Sequence, residues 1–98
     1  MIKVRFLPSA EIEFLREVVY YSQTRSGAGP RFQAAVQAAV SLAANHPLGG
    51  APLINGTRSI LVRGFPFSVV YRASAQEILI VAVAPHRKRP YYWASRTE

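Results

Sequence analysis

The sequence predicts an α+β fold in two layers, a helical hairpin over one face of an antiparallel sheet. Three observations predict it. Between Phe32 and Ala43 the apolar residues recur at three and four, the spacing of a helix. Beyond Thr57 they fall in short β-branched and aromatic runs, and the run Ile78 to Ala84, ILIVAVA, carries no charge. Short turn signals separate those runs, so the strands follow one another directly and the helices are grouped ahead of them.

Each element has its own warrant. Ile2, Val4 and Phe6 alternate with Lys3 and Arg5, the period of a half-buried strand. Pro8 breaks that strand. Ser9 is placed to accept from the free N–H groups that open a helix. Glu11 and Glu13 stand in its first turns, where the helix dipole favours negative charge. Ile12, Leu15 and Val19, with Phe14, Val18 and Tyr21 beside them, predict a wide apolar face on a helix from about Ser9 to about Gln23. Glu11, Glu13 and Glu17 read as its solvated side, with Arg16 a local partner of Glu13 and Glu17.

Ser26 to Pro30 is a turn, and Pro30 suits the first turn of the next helix. The stripe of that helix is Phe32, Ala35, Val36, Ala39, Leu42 and Ala43, mostly alanine. Small side chains let two helices lie close, which predicts an antiparallel hairpin. Asn45-His46-Pro47 ends it, and His46 reads as a helix end. Leu48 to Gly56 is a loop by its Gly and Pro content, with Asn55-Gly56 a strong turn dipeptide. Strands are expected at Arg58–Val62, Phe67–Tyr71 and Ile78–Ala84, joined by turns at Arg63–Pro66 and Ser74–Glu77. That is a three-stranded antiparallel meander, and the whole order is β-α-α-β-β-β.

A chain of 98 residues predicts one domain over 1–98. It has no cysteine, so no disulfide or thiolate metal site can form, which suits a reducing cytosol. Two histidines without paired carboxylates or thiols predict no metal. MIKVRF alternates where a secretory leader would be continuously apolar. No apolar run approaches the ~20 residues that span a bilayer, so no membrane partner is expected.

The formal net charge is +7, and no acid stands between Glu17 and Glu77. The cations cluster: Arg87, Lys88, Arg89 and Arg96 follow the buried run once Pro85 has stopped it. Such a field favours nucleic acid or an acidic protein. The cluster is expected to stand together at one rim of the sheet, not tied to Glu77 or Glu98. Arg58, Arg63 and Arg72 sit at strand ends, where they bind a partner, or are solvated and discourage edge pairing. Arg58 lies in an apolar context and is favoured for a specific contact. Tyr91, Tyr92 and Trp93 read either as a base-stacking platform or as aromatics that fold back to complete the core, the latter favoured for Trp93. His86 either closes a strand with a hydrogen bond or exchanges protons.

At this point the chain resembles the RelE/ParE toxins of bacterial toxin–antitoxin pairs. The residues that carry the likeness are Phe65-Pro66-Phe67 through Val70-Tyr71-Arg72, and Ile80 through His86-Arg87 with Arg89-Pro90-Tyr91-Tyr92-Trp93 after it. The alanine-rich second helix ending in His46-Pro47, and Arg58 opening the second strand, agree. The resemblance covers nearly the whole length. It implies a small cytoplasmic toxin without a cofactor, neutralised by a cognate acidic antitoxin with which it forms a dimer or heterotetramer. The family has two activities. One branch enters the ribosome and cleaves bound messenger RNA; the ParE-like, plasmid-stabilisation branch poisons DNA gyrase.

For the cleaving branch the resemblance implies His86, Arg87 and Tyr91 or Tyr92 as catalytic residues. Arg87 falls where that branch has a phosphate-binding Arg. Ser68, however, falls where one cleaving group has a central Arg, and a hydroxyl cannot hold a developing phosphorane charge as a guanidinium does. No Glu is expected on the second or third strand to act as base. The gyrase-targeting branch is therefore favoured. The target- or antitoxin-binding surface is expected to draw on Arg58, Arg63, Arg72, Arg87, Lys88, Arg89 and Trp93.

Overall fold

The uncharged run does lie between two other strands, and the rest of the sheet is arranged about it. The computed structural model describes residues 2–97. Its elements are β1 (Lys3–Phe6), α1 (Pro8–Thr24), α2 (Ala28–Asn45), β2 (Ala51–Pro52), β3 (Arg58–Val62), β4 (Phe67–Ala73) and β5 (Glu77–Pro85), with 3-10 turns at Ile54–Gly56 and Ala94–Thr97. The strand order is β1-β5-β4-β3-β2. β3, β4 and β5 form the antiparallel meander, while β1 joins β5 in parallel, so the sheet is mixed. A parallel pair needs a long crossover. Here the helical hairpin carries the chain across the sheet to β2, and the meander brings it back to β5 beside β1.

Three expectations need correction. Ser9 does not cap α1: Leu7 is the capping residue, no side chain bonds there, and Pro8 already stands in the first turn. The ring fixes φ near the helical value, which pre-organises the start without a hydroxyl. The predicted loop contains β2, whose Ala51 and Pro52 pair with Ser59 and Arg58. The apolar face of α1 also divides. Ala10 is buried, and Phe14, Val18 and Tyr21 pack on the core. Ile12, Leu15 and Val19 stay 54%, 53% and 55% exposed on the other side. Two apolar stripes share the helix, and the one with larger aromatics wins the core.

Under the helices the core is dry. Phe32 of α2 meets Phe65 and Phe67 with ring centroids 5.2 and 5.0 Å apart, and Tyr21 meets Phe32 at 5.1 Å. The helices lie close at Gly29, where a Cβ would crowd Ser22 Oγ and stand 3.0 Å from the Val18 carbonyl oxygen, which glycine avoids. Tyr71 is buried beneath them. Its hydroxyl donates to Pro47 O at 2.9 Å and accepts from Gly50 N–H at 3.0 Å.

The opposite face is covered differently. β5 carries one residue too many: Val70 faces Ala82, Tyr71 faces Ile80, and Val81 is left over as a bulge. Val81 and Ala82 both join Val70 in a small cluster capped by Trp93, which is only 3% exposed. The C-terminal segment thus folds back across the sheet, as favoured for Trp93. Among the described residues no helix is long and apolar enough to cross a membrane.

Candidate anion-binding cleft

Where β4 and β5 run out, the open face of the sheet forms a cleft of about 310 Å³. Ser59, Ser68, Val70 and Ala84 line its floor; His86, Lys88, Arg89 and Tyr91 rise beside it; Tyr92 and Trp93 close the back. The chain makes this shape for local reasons. Pro85 cannot donate to a further strand, and His86 N–H is taken by Pro66 O at 2.9 Å. The backbone then turns, with Lys88 N–H on Pro85 O, and Tyr91 takes a positive φ of 61°. That conformation is uncommon outside glycine and reverses the chain over the sheet.

His86 Nε2 and Ser68 Oγ lie 2.9 Å apart, a hydrogen bond whose donor depends on the tautomer. The imidazole is exposed. Lys88 Nζ sits 4.7 Å from the centre of the Tyr92 ring, within cation–π range. Neither Lys88 nor Arg89 forms an ion pair among the described residues. Two cations, an imidazole and two serine hydroxyls facing one recess can hold an anion such as a phosphate or a carboxylate. The described residues contain no cluster of groups able to hold a metal.

Behind the cleft a carboxylate ties the segment down. Glu13 of α1 accepts from both terminal nitrogens of Arg96, at 2.9 and 3.0 Å, and from Tyr92 Oη at 2.6 Å. It also accepts from Val83 N–H at 3.1 Å, and Arg96 donates to Val81 O at 3.0 Å. Burial, then the bond to Glu13, pushes the Tyr92 phenol well above the ordinary tyrosine range. The bond to Glu13 likewise raises the Arg96 guanidinium. Glu13 is therefore not part of a solvated face, and Arg16 is not its partner. Nothing local could reveal this, because its partners lie 70 to 83 residues away in sequence.

The other expected residues fall in several places. Arg87 does not line the cleft, although it shares with Lys88 a small recess beside Glu13. It lines a recess of about 540 Å³ with Arg16, Glu17, Tyr20 and Tyr21 on the helical side. The basic run is thus split across two surfaces, and only Lys88 and Arg89 of its cations line the cleft. Arg58 is held inward, donating to Leu48 O at 3.0 Å and Gly50 O at 2.8 Å. Arg72 reaches Thr97 O at 3.4 Å, and Arg63 is exposed at the β3–β4 turn. Trp93 is covered, while Tyr91 stands out at the rim. Glu77 opens β5, but at the end far from His86, where Arg5 pairs with it at 2.9 Å. Glu98 lies outside the described residues. Ser59 and Leu53, which no sequence signal singled out, complete the cleft.

Small basic α+β proteins, with one sheet face under a helical hairpin and a cationic cleft on the other, are the class to which this geometry belongs. Among those, a family model described as ParE toxin of type II toxin-antitoxin system, parDE, matches residues 4–90, and the chain belongs to that family. The aromatic segment from Tyr91 lies beyond the matched stretch. The fold is similar to that of a chain from the "Chromosomal ParDE TA system from P. aeruginosa". The two share a TM-score of 0.70 and 19% identity, over 87% of this chain and 96% of that one. No curated protein matches the sequence.

Proposed function

We propose that the chain, when free, acts in the cytoplasm as a gyrase-directed toxin and is neutralised by a cognate acidic antitoxin in a dimer or heterotetramer. The observation that supports this most is the cleft itself. Its cations, Lys88 and Arg89, have no acidic partner among the described residues, and its floor offers hydroxyls where strong phosphorane binding would need a guanidinium. Such a surface binds an anionic partner without supplying full cleavage chemistry. Replacing Lys88 and Arg89 together by Ala is expected to abolish growth arrest on expression while leaving the far-UV spectrum unchanged. Retained arrest would move the working surface elsewhere, and normal growth of the parent chain would remove toxicity altogether.

One observation favours a second reading, ribosome-dependent cleavage of messenger RNA. His86 and Ser68 lie in hydrogen-bond contact beside Lys88, Arg89 and Tyr91, so a proton acceptor and cations share the recess. Toeprinting on programmed ribosomes separates the two. Stabilised gyrase–DNA cleavage complexes without codon-specific cuts support the poison, and codon-specific cuts support the nuclease.

A further inference from the structure

The outer stripe of α1 is apolar, and the fold leaves it uncovered. Ile12, Leu15 and Val19 are each more than half exposed, while Ala10, Phe14 and Tyr21 on the other side of the helix meet the core. That inner side packs on α2 and β5. Single exposed aliphatics are ordinary, but three in line along one helix form a surface.

The spacing of the three is specific. Steps of three and then four are the a and d repeat of a two-stranded coiled coil. Ile12 and Val19 fall at a, and Leu15 falls at d. β-branched residues at a with leucine at d favour a parallel pair of helices. The flanks agree. Glu11 falls at g and Arg16 at e, both are exposed, and neither is in an ion pair among the described residues. In a parallel pair the g residue of one helix lies beside the following e residue of the other. Two copies of α1 would therefore set Glu11 of each against Arg16 of the other, twice over. Run antiparallel, with Leu15 on Val19, the same seam would set Arg16 against Arg16.

Whole-chain charge opposes self-pairing, since each copy carries +7. The opposition is least at α1, where Pro8–Thr24 holds Glu11, Glu13 and Glu17 against the single cation Arg16. The cationic cleft lies on the far face of the sheet. We propose that the chain pairs with a second copy of itself, α1 against α1 in parallel, through the seam of Ile12, Leu15 and Val19. Both clefts then face outward and stay open, so the pair offers two anion sites at once. No antitoxin takes part, and the pairing stands apart from the function proposed above. The seam is short, so a dissociation constant of about 10–100 µM is expected.

Sedimentation of the full chain between about 1 µM and about 1 mM tests this, with the average mass expected to rise from one chain toward two. Leu15→Lys, at an exposed position outside the core, should weaken pairing about tenfold or more. Glu11→Arg and Arg16→Glu should each weaken it about tenfold alone, because each sets like charges on both flanks. An equimolar mixture of those two variants restores both opposite-charge flanks and should recover the parental affinity. The charge variants keep the test decisive if Leu15→Lys misfolds. A parent that stays monomeric at about 1 mM would overturn the proposal. So would a folded Leu15→Lys, or either charge variant, that pairs as tightly as the parent, or a mixture no tighter than its components.

Discussion

The two faces of this sheet are closed by different physics. Beneath the hairpin, Phe32, Val36, Phe67, Tyr71 and Ile80 are all buried, and the single polar group among them, the Tyr71 hydroxyl, has both a donor and an acceptor role filled. On the other face one indole and one carboxylate hold a returning segment over a small apolar patch. The first arrangement draws on area, with many side chains each removed from water. The second draws on a few directional bonds, and leaves hydroxyls and cations accessible beside them. A chain this small leaves one face partly open by concentrating its stability on the opposite one.

That contrast can be broken from either side. Phe32→Ala should cost most, about 3–5 kcal/mol, because it opens a cavity among rings that cannot collapse into it. Urea denaturation would read it, and a loss comparable to a surface change would refute the dry-core description. Glu13→Gln strikes the other face. It leaves the Arg96 charge half-buried with poorer partners, and should cost about 1–3 kcal/mol. It should also red-shift Trp93 emission as the segment loosens. Unshifted emission would mean that the indole holds the segment without the carboxylate.

The same latch predicts a pH dependence. The folded state binds the Tyr92 proton more tightly than the unfolded chain does. Its contribution is fully present below the ordinary tyrosine pKa of about 10 and is lost as pH rises above that. Tyr92→Phe should therefore flatten the alkaline limb of stability against pH, and an unchanged limb would argue against this bond. Glu77→Gln marks the small end of the scale. The Arg5 hydrogen bond holds the Glu77 carboxyl below its usual range, so its contribution is present above that range and lost as pH falls. Both groups are solvated, and the melting temperature at neutral pH should not measurably change.

The meander and the hairpin were legible because each leaves a local signal: β-branched and aromatic runs between turn residues for the strands, and a recurrence at three and four for Phe32 to Ala43. The orientation of α1 was not, since Ile12, Leu15 and Val19 satisfy the helical period as well as Phe14, Val18 and Tyr21 do. The ladder between Pro52 and Arg58 escaped notice because two residues have no period at all. At the cleft, the cations and aromatics could be picked out by type. Their sorting could not: the turn after Pro85 sends Arg87 to the helical side and Arg89 to the cleft, with Lys88 bordering both. The role of Glu13 depends on Arg96 and Tyr92, brought to it only by the completed fold.

The spare residue in β5 has a last consequence, one of parity. Side chains along a strand take alternate sides, but the bulge sets Val81 and Ala82 on one side and so switches the odd-even assignment of every residue beyond it. With Val81 present, Val83 points under the helices and Ala84 does not. Were β5 to run through Val81 in strict alternation, with no bulge, Ala84 and His86 would both face the hairpin, and the imidazole would be carried off the side where Ser68 waits. In an unbroken stretch of aliphatics, where no letter looks out of place, arithmetic alone settles which hemisphere of the molecule receives the histidine.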